Sequence, residues 1–242
     1  MAEYFNDRGQ PIGPPLGGWL SRPRPARSPL EGRFCRLEPL DPECHGEALY
    51  EALAEEGDPP TWTYLFYGPF ASREAFMLWL RERAAGADPL FHTILDRGSG
   101  KALGLVSFLR IEEGSGAIAI GHVIYSPALR RAAAATEAIY LLLCRAFDEL
   151  GYRRCEWRCD TLNAASRAAA QRYGFRFEGI MRQSAVYKGR SRDTACYAII
   201  DPEWPDLRAS FERWLSPANF DENGIQREHL SQLTQAREWF PA

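Results

Sequence analysis

Three segments of strand-like character follow one another between residues 90 and 126, and they constrain the fold most strongly. The segments 90–96, 102–111 and 117–126 are rich in apolar and β-branched residues. The stretches between them, RGSGK and EEGSG, are short and rich in turn-forming residues. Because such short connections join neighbouring antiparallel strands, the sequence predicts an antiparallel meander in the middle of the chain.

A helix and a returning strand follow the meander. An apolar stripe from about Leu129 to Leu150 predicts a long helix that Gly151 ends, and residues 153–160 predict the next strand. A strand that feeds a helix crossing to a neighbouring strand places a helix N-terminus at the edge of the sheet. The free backbone N–H groups of that N-terminus can hold an anion.

Other elements flank this central unit. We expect a first strand near residues 33–40, then a helix from Asp41 to Glu56 with Asp41 as its N-cap, and a second helix capped by Ser72. On the C-terminal side the pattern predicts a helix over 163–174, a hairpin that turns at 188–191, and helices over 203–215 and 226–239.

Between the first two helices lies an aromatic-rich loop. Its sequence, WTYLFYGPF, starts at Trp62. Aromatic side chains serve equally well to pack a loop on the core and to form the wall of a substrate pocket, so both interpretations stay open. The residues in question are Trp62, Tyr64, Phe66, Tyr67 and Phe70.

Residues 1–32 are rich in proline and glycine, which disfavours a regular helix or a central strand. We therefore expect an extended arm. Its aromatic residues Tyr4, Phe5 and Trp19 indicate that the arm lies against the body or against a partner subunit, since disordered tails carry few aromatic residues. A homodimer is thus left open.

Charge and hydropathy exclude several classes of partner. With 29 basic and 32 acidic residues the formal net charge is -3, which gives no electrostatic reason to bind nucleic acid or an anionic membrane. No apolar run approaches the roughly 20 residues needed to span a bilayer. The N-terminus carries no signal-peptide pattern, and we expect a cytoplasmic protein without a membrane partner.

The six cysteines show no metal-ligand spacing, so we expect no metal site. Cys155 and Cys159 fall on one predicted strand, where four residues separate their Cα atoms by about 13 Å. That distance is too long for a disulfide, and buried free thiols are expected.

Three motifs occur in order in the second half of the chain: RRAAAAT at 130–136, NAAS at 163–166 and YGF at 173–175. With the element order from Arg33 to Pro205, they resemble GNAT N-acetyltransferases, closest to the ribosomal-protein N-acetyltransferase branch. The resemblance implies an α/β (α+β) fold with a central mixed, mostly antiparallel sheet of about seven strands flanked by helices. It also implies a GNAT domain over 33–205, with the arm at 1–32 and a C-terminal helical extension at 206–242.

The resemblance further implies acetyl-CoA as cosubstrate. In the family, a loop of pattern Arg/Gln-x-x-Gly-x-Gly/Ala cradles the coenzyme pyrophosphate with backbone amides. Here Arg130 and Ala135 match, Ala133 replaces the central glycine, and Arg131 stands where a further glycine is common; the two arginines could instead be solvated loop charges. The expected coenzyme-binding residues are Val123, Ile124, Tyr125, Arg130, Arg131, Ala132, Ala133, Ala134, Ala135, Thr136, Asn163 and Ser166.

Ser166 is the expected acid of the reaction. In similar enzymes the Asn of Asn163-x-x-Ser166 hydrogen-bonds the pantetheine arm, and the Ser protonates the leaving thiolate. Asn163 could instead simply cap its helix. The tyrosine that many GNAT enzymes use as acid is Ala170 here, and Tyr173 should face elsewhere.

The general base does not carry over from the family. The positions where similar enzymes have Glu are Ala119 and Ala185. His122, Glu178 and Asp160 remain as candidates. We favour His122 as the catalytic base because its intrinsic pKa suits the task, although a lone strand histidine often serves only packing.

The resemblance implies direct attack of a primary amine on the thioester of acetyl-CoA, with a backbone N–H between His122 and Tyr125 stabilising the oxyanion. The acceptor is a small molecule or a protein N-terminus. Because Ala119 and Ala185 remove the usual carboxylates, a catalytically silent acyl-CoA-binding protein with a regulatory or assembly role is the alternative. A plain nucleotide-binding domain is disfavoured, since neither of its glycine-rich motifs occurs in context.

Overall fold

The computed structural model describes residues 4–57, 59–222 and 224–235. The strands of this part are β1 (Tyr4–Phe5), β2 (Pro11–Ile12), β3 (Leu30–Glu31), β4 (Cys35–Pro39), β5 (Leu90–Asp96), β6 (Ala102–Glu112), β7 (Ala117–Tyr125), β8 (Arg154–Asp160), β9 (Arg176–Tyr187) and β10 (Arg190–Ile200). Its α-helices are α1 (Pro42–Tyr50), α2 (Arg73–Ala85), α3 (Ala133–Cys144), α4 (Ala164–Arg172), α5 (Trp204–Leu215) and α6 (Leu230–Gln235).

One sheet of eight strands carries the fold, in the order β3-β4-β5-β6-β7-β8-β10-β9. The β7–β8 pair is parallel and all other neighbours are antiparallel, so the predicted meander of β5, β6 and β7 is confirmed. The sheet has one strand more than the expected seven or so, because Leu30 and Glu31 pair with Leu37 and Arg36.

The predicted caps of the first two helices are confirmed. The Asp41 carboxylate accepts N–H bonds from Glu43 (2.9 Å) and Cys44 (3.3 Å). The Ser72 hydroxyl accepts one from Ala75 at 3.2 Å. Each cap satisfies N–H groups that the helix itself leaves without a partner.

Two expected helix starts are wrong. Helix α3 begins at Ala133 and not at Leu129, because Arg131 has φ 64 and a left-handed residue cannot belong to a right-handed helix. Helix α6 begins at Leu230 and not at Gln226, which forms a β-bridge with Phe220. The final residues of that expected helix, 236–239, lie outside the described residues.

Hydrophobic cores lie on both faces of the sheet. Alternating strand residues divide between them: Leu90 joins the core under α3 and α5, and its neighbour Phe91 joins the core under α1 and α2. Trp204 and Phe211 of α5 are buried in the α3 core, which places that C-terminal helix in the same hydrophobic unit as the sheet.

The N-terminal arm contacts the body through Trp19. Its indole Nε1 donates to the Gly114 carbonyl at 2.9 Å, and the Arg153 guanidinium lies 5.7 Å from the ring centroid. Tyr4 and Phe5, on the small β1–β2 hairpin, stay exposed. Among the described residues, no helix is both long enough and apolar enough to cross a membrane.

Candidate active site

The central feature of the site is a gap between two parallel strands. Strands β7 and β8 are paired only from Ala117–Arg154 to Ile120–Trp157. Beyond this point β7 stays with β6 as far as Tyr125, while β8 stays with β10 as far as Asp160. One backbone edge of each strand therefore faces the gap, where another extended chain can pair with it.

A β-bulge in β7 lies at the start of the gap. Gly121 is opposite Ser107 and Ile124 is opposite Leu105, so His122 and Val123 together face Val106. His122 has φ 49, which is uncommon for a residue with a side chain. Bulges bend a strand and re-aim its side chains, and this one turns His122 toward the cavity in the gap.

A cavity of about 380 Å³ occupies the gap. Four of the predicted site residues line it: His122, Val123, Asn163 and Ser166. Ile124 is fully buried in the core under α1 and α2, so only its backbone is available to a ligand. A second cavity, of about 390 Å³ between α4, β9 and α5, is lined by none of the predicted site residues.

Ser166 has a hydrogen-bond donor behind it. The indole Nε1 of Trp157 donates to Ser166 Oγ at 3.0 Å, which leaves the hydroxyl proton of Ser166 available to a ligand. Asn163 is the N-cap of α4, since its Oδ1 accepts from Ser166 N at 3.0 Å. Trp157 was not predicted as a site residue, although its place on β8 before Asp160 was the available signal.

The turn before α3 presents unpaired amides. Leu129 N and Arg130 N donate to Ser126 O, and Ala132 N donates to Leu129 O. No acceptor from the described part of the chain reaches the backbone N–H of Arg131, Ala133 or Ala134. Together with the positive end of the helix dipole, these three amides are suited to an anion.

Several side chains around this turn bond to other parts of the chain. The Arg130 guanidinium donates to the hydroxyl of Thr61, a residue of the cavity wall. Thr136 Oγ1 accepts from Arg172 Nη1 at 3.0 Å. Tyr125 Oη donates to Ala135 O at 3.0 Å, which ties the end of β7 to the start of α3.

His122 is paired with an aromatic-loop residue. The Tyr67 hydroxyl lies 2.8 Å from His122 Nδ1, and the two rings are stacked. Burial, followed by repulsion from Arg83, lowers the pKa of His122 to about 4, so the imidazole is neutral at pH 7. Burial also raises the pKa of Tyr67, which keeps the phenol protonated.

The two carboxylates that were candidate bases are both engaged. Asp160 lines the cavity, where its oxygens accept from Tyr187 Oη and Leu162 N, each at 2.9 Å. Glu178 forms a bidentate pair with Arg154 outside the cavity lining, and this pair lowers the pKa of its carboxyl. Both alanines at the family's Glu positions, 119 and 185, do line the cavity.

The aromatic loop plays both roles that the sequence left open. Trp62 is buried and packs against Tyr67, Phe70 and Trp79. Tyr64 and Phe66 line the cavity. Tyr64 Oη also donates to Leu162 O at 3.0 Å, which connects the loop to the start of α4.

Burial bears on the catalytic role of two further residues, Tyr173 and Cys159. Tyr173 is buried against Trp157 and does not line the cavity, as expected. The Cys159 thiol does line it, and burial raises the pKa of this thiol. A raised pKa leaves the sulfur protonated at neutral pH and therefore weakly nucleophilic.

Known proteins share this architecture. The family model "Acetyltransferase (GNAT) domain" matches residues 35–176. A GCN5-related N-acetyltransferase from Brucella melitensis is 44% identical with a TM-score of 0.89, and the match covers 91% of this chain and 100% of that one. A GNAT-family acetyltransferase from Chromobacterium violaceum is 47% identical with a TM-score of 0.75, covering 81% and 98%.

A more distant structure shares only the fold. The microcin C7 self-immunity acetyltransferase MccE, solved in complex with acetyl-CoA and AMP, is 21% identical with a TM-score of 0.62 and covers 70% of this chain and 93% of its own. Among curated proteins, none matches this chain significantly. The domain match and the two more similar structures place the protein without ambiguity: the chain belongs to the GNAT family of acetyltransferases.

Proposed function

We propose that this protein transfers the acetyl group of acetyl-CoA to a primary amine by direct attack within a ternary complex. The parting of β7 and β8 is the observation that carries the proposal, because it opens the sheet beside an unpaired strand edge. Amide groups of the pantetheine arm can pair with that edge at Val123, Ile124 and Tyr125 as an added strand would. MccE, which has the same fold, was solved in complex with acetyl-CoA, and this supports acetyl-CoA as the cosubstrate.

The coenzyme pyrophosphate is assigned to the turn before α3. The amides of Arg131, Ala133 and Ala134 are its proposed donors, with Ala132, Ala135 and Thr136 shaping the first helical turn. The Arg130 side chain, which contacts Thr61, adds a positive charge near the proposed pyrophosphate position. Charge and free N–H groups at a helix N-terminus together favour a polyanion.

In the proposed reaction, the amine lone pair attacks the thioester carbonyl carbon. A C–N bond forms, the C–S bond breaks, and the leaving thiolate takes a proton from the Ser166 hydroxyl. The attacking nitrogen loses a proton in the same reaction. Solvent then returns a proton to Ser166, so no net proton is gained or lost. A backbone N–H of the bulge, between His122 and Tyr125, is the proposed oxyanion donor.

His122 is the proposed acceptor of the amine proton. This role requires the tautomer in which Nδ1–H donates to Tyr67 Oη, because only that tautomer leaves Nε2 free. A histidine with a pKa of about 4 is unprotonated throughout the neutral range but is a weak base. The acceptor must therefore reach the site as a neutral amine.

Ser166→Ala tests the reaction. We expect kcat to fall about tenfold or more, in the range of a lost general acid, with little change in the affinity for acetyl-CoA. The matched control is Ser184→Ala, which removes another cavity hydroxyl. Unchanged turnover in Ser166→Ala would remove this residue from the mechanism.

A catalytically silent acyl-CoA binder is the second candidate, because Ala119 and Ala185 leave the cavity without two carboxylates. Calorimetry with acetyl-CoA, followed by thiol release with a panel of amines, separates the candidates. Binding with amine-dependent release supports the transferase, and binding without release supports the silent binder. Ala133→Asp should abolish binding in both cases, since it places a carboxylate against the pyrophosphate.

A further inference from the structure

Two charged side chains of the cavity wall are deeply buried, Asp160 and Arg192. Arg192, on β10, lines the cavity and is only 9% exposed. A guanidinium is always protonated in proteins, so this position carries a full positive charge. Burying a charge is costly unless an opposite charge or several hydrogen bonds compensate it.

The surroundings of Arg192 supply little compensation. Its Nε donates to Thr194 Oγ1 at 3.2 Å, and its Cζ lies 5.3 Å from the Phe66 ring and 5.9 Å from the Tyr187 ring. No carboxylate of the described residues lies within 4.0 Å of it. Its cross-strand neighbour on β9 is Ala185, which offers no polar atom from its side chain.

The other charges of the cavity wall are paired. Arg158 forms an ion pair with Glu156 at 2.8 Å, and Arg110 lies 4.0 Å from the same carboxylate. Asp160 uses its oxygens for Tyr187 Oη and Leu162 N. Arg192 is therefore a buried cation whose two terminal nitrogens donate no hydrogen bond to the described residues.

We propose that the acceptor is a small amino-acid-like molecule whose carboxylate binds the Arg192 guanidinium while its amine reaches the thioester. The inference rests on the proposed acetyl transfer and names its substrate class. A carboxylate matches the planar fork of a guanidinium and brings one negative charge to one unpaired cation. A small molecule fits because the cavity holds about 380 Å³ and the two aromatic rings cover Arg192.

The test compares matched acceptors that differ only in the carboxylate. Thiol release and product mass are measured for the full chain with acetyl-CoA and either 4-aminobutyrate or 4-aminobutanamide, and with amino acids and their amides. We expect the carboxylates to have at least a tenfold higher kcat/KM. Arg192→Gln should lower that value about 10- to 100-fold, mainly through KM, and leave the amides unaffected.

Two variants control for structural effects. Arg192→Lys keeps the charge without the fork and should give an intermediate KM. Arg190→Gln removes an exposed arginine of the same strand and should change nothing. Equal loss for acids and amides in Arg192→Gln, no preference in the natural chain, or acceptance of acidic peptide N-termini alone would each overturn the proposal.

Binding of 4-acetamidobutyrate, a product analogue, separates this inference from the proposed function. Binding that depends on Arg192, with no acetylation of any amine, would refute the transfer reaction and leave the carboxylate site standing. Acetylation of neutral amines with no binding of 4-acetamidobutyrate would refute the carboxylate site and leave the transferase standing. If the protein neither acetylates any amine nor binds 4-acetamidobutyrate, the transfer reaction and the carboxylate site are both refuted.

Discussion

The hydroxyl oxygen of Tyr67 lies 2.8 Å from Nδ1 of His122, and this contact joins the aromatic loop to the bulge of β7. It orients the imidazole and engages Nδ1, so Nε2 is the ring nitrogen left to face a ligand. The proposed base therefore depends on a residue that is 55 positions away in the chain.

Tyr67→Phe should lower kcat about tenfold and leave the affinity for acetyl-CoA unchanged. The lost hydrogen bond is worth about 1 kcal/mol, and without it the imidazole is no longer held in its orientation. Steady-state kinetics and calorimetry measure the two quantities. Tyr50→Phe, which removes a hydroxyl of the same hydrophobic layer, is the control. An equal loss of coenzyme affinity would point to a collapsed loop.

The pH dependence of kcat/KM should follow the acceptor and not His122. Since the pKa of His122 is about 4, its neutral form is already present throughout the range from pH 5 to 9. The amine is protonated below its own pKa, so kcat/KM should rise with pH up to that value. Acceptors with different amine pKa values should shift the inflection accordingly. An inflection fixed near 6.5 for all acceptors would contradict this assignment.

Acid should destabilise the protein through His92, which is buried, and His122, which is half-buried in the cavity wall. Burial lowers the pKa of His92 and of His122 to about 4, with Arg145 and Arg83 respectively adding repulsion. Histidines in the unfolded chain titrate near 6.5, so above that pH the neutral histidines make their full contribution to the free energy of unfolding. It is lost as the pH falls from about 6.5 to 4, at a cost of up to about 3 kcal/mol per histidine.

Urea unfolding between pH 7.5 and 4 measures the slope of the free energy of unfolding against pH. His92→Phe should flatten it, because the side chain packs against Phe108 and loses nothing apolar. A slope that His92→Phe leaves unchanged would place the acid sensitivity elsewhere.

Local patterns predicted the elements well, because alternation, caps and turns act over a few residues. The caps at Asp41 and Ser72 could be read from the residues that follow them. The bulge at His122 could not be predicted from neighbouring residues, because it arises from the mismatch in register between β6 and β7. The same limit applies to the start of α3, where the left-handed Arg131 shortens the predicted helix.

The sequence indicated cavity residues where a motif marks them, and at His122, where the residue type suits a base on the expected strand. Asn163 and Ser166 were named from their motif, whereas Arg192 was not. Its role depends on burial and on the absence of a partner across the strand at Ala185, which requires the register of β9 and β10. Sequence spacing alone does not give that register, because a bulge interrupts the pairing between Arg192 and Thr194.

Arg131→Gly should stabilise the protein by about 0.5 kcal/mol. A residue with a side chain pays about 1 kcal/mol for a left-handed conformation, and part of this gain is offset by the larger entropy of glycine in the unfolded chain. Affinity for acetyl-CoA should persist if the amide of Arg131 is the binding group. Arg131→Ala, which keeps the strain and loses the same charge, should show no stabilisation. A loss of coenzyme affinity in both variants would assign the role to the guanidinium.

Glu137 should be a major determinant of stability, because its buried carboxylate holds α3 on the β3–β4 turn. It accepts backbone N–H bonds from Arg33 (2.8 Å), Phe34 (2.6 Å) and Cys35 (2.8 Å). Glu137→Gln keeps the shape but turns one acceptor oxygen into a donor facing N–H groups, which should cost about 3 kcal/mol. Urea unfolding measures the change.

Gly32→Ala offers an independent check of the same contact. A Cβ at Gly32 would overlap the Glu137 carboxylate, so this variant should also be destabilised. If the two residues act through one contact, the losses in the double variant should be smaller than the sum of the single losses. Additive losses would mean that the turn and the carboxylate stabilise the fold separately.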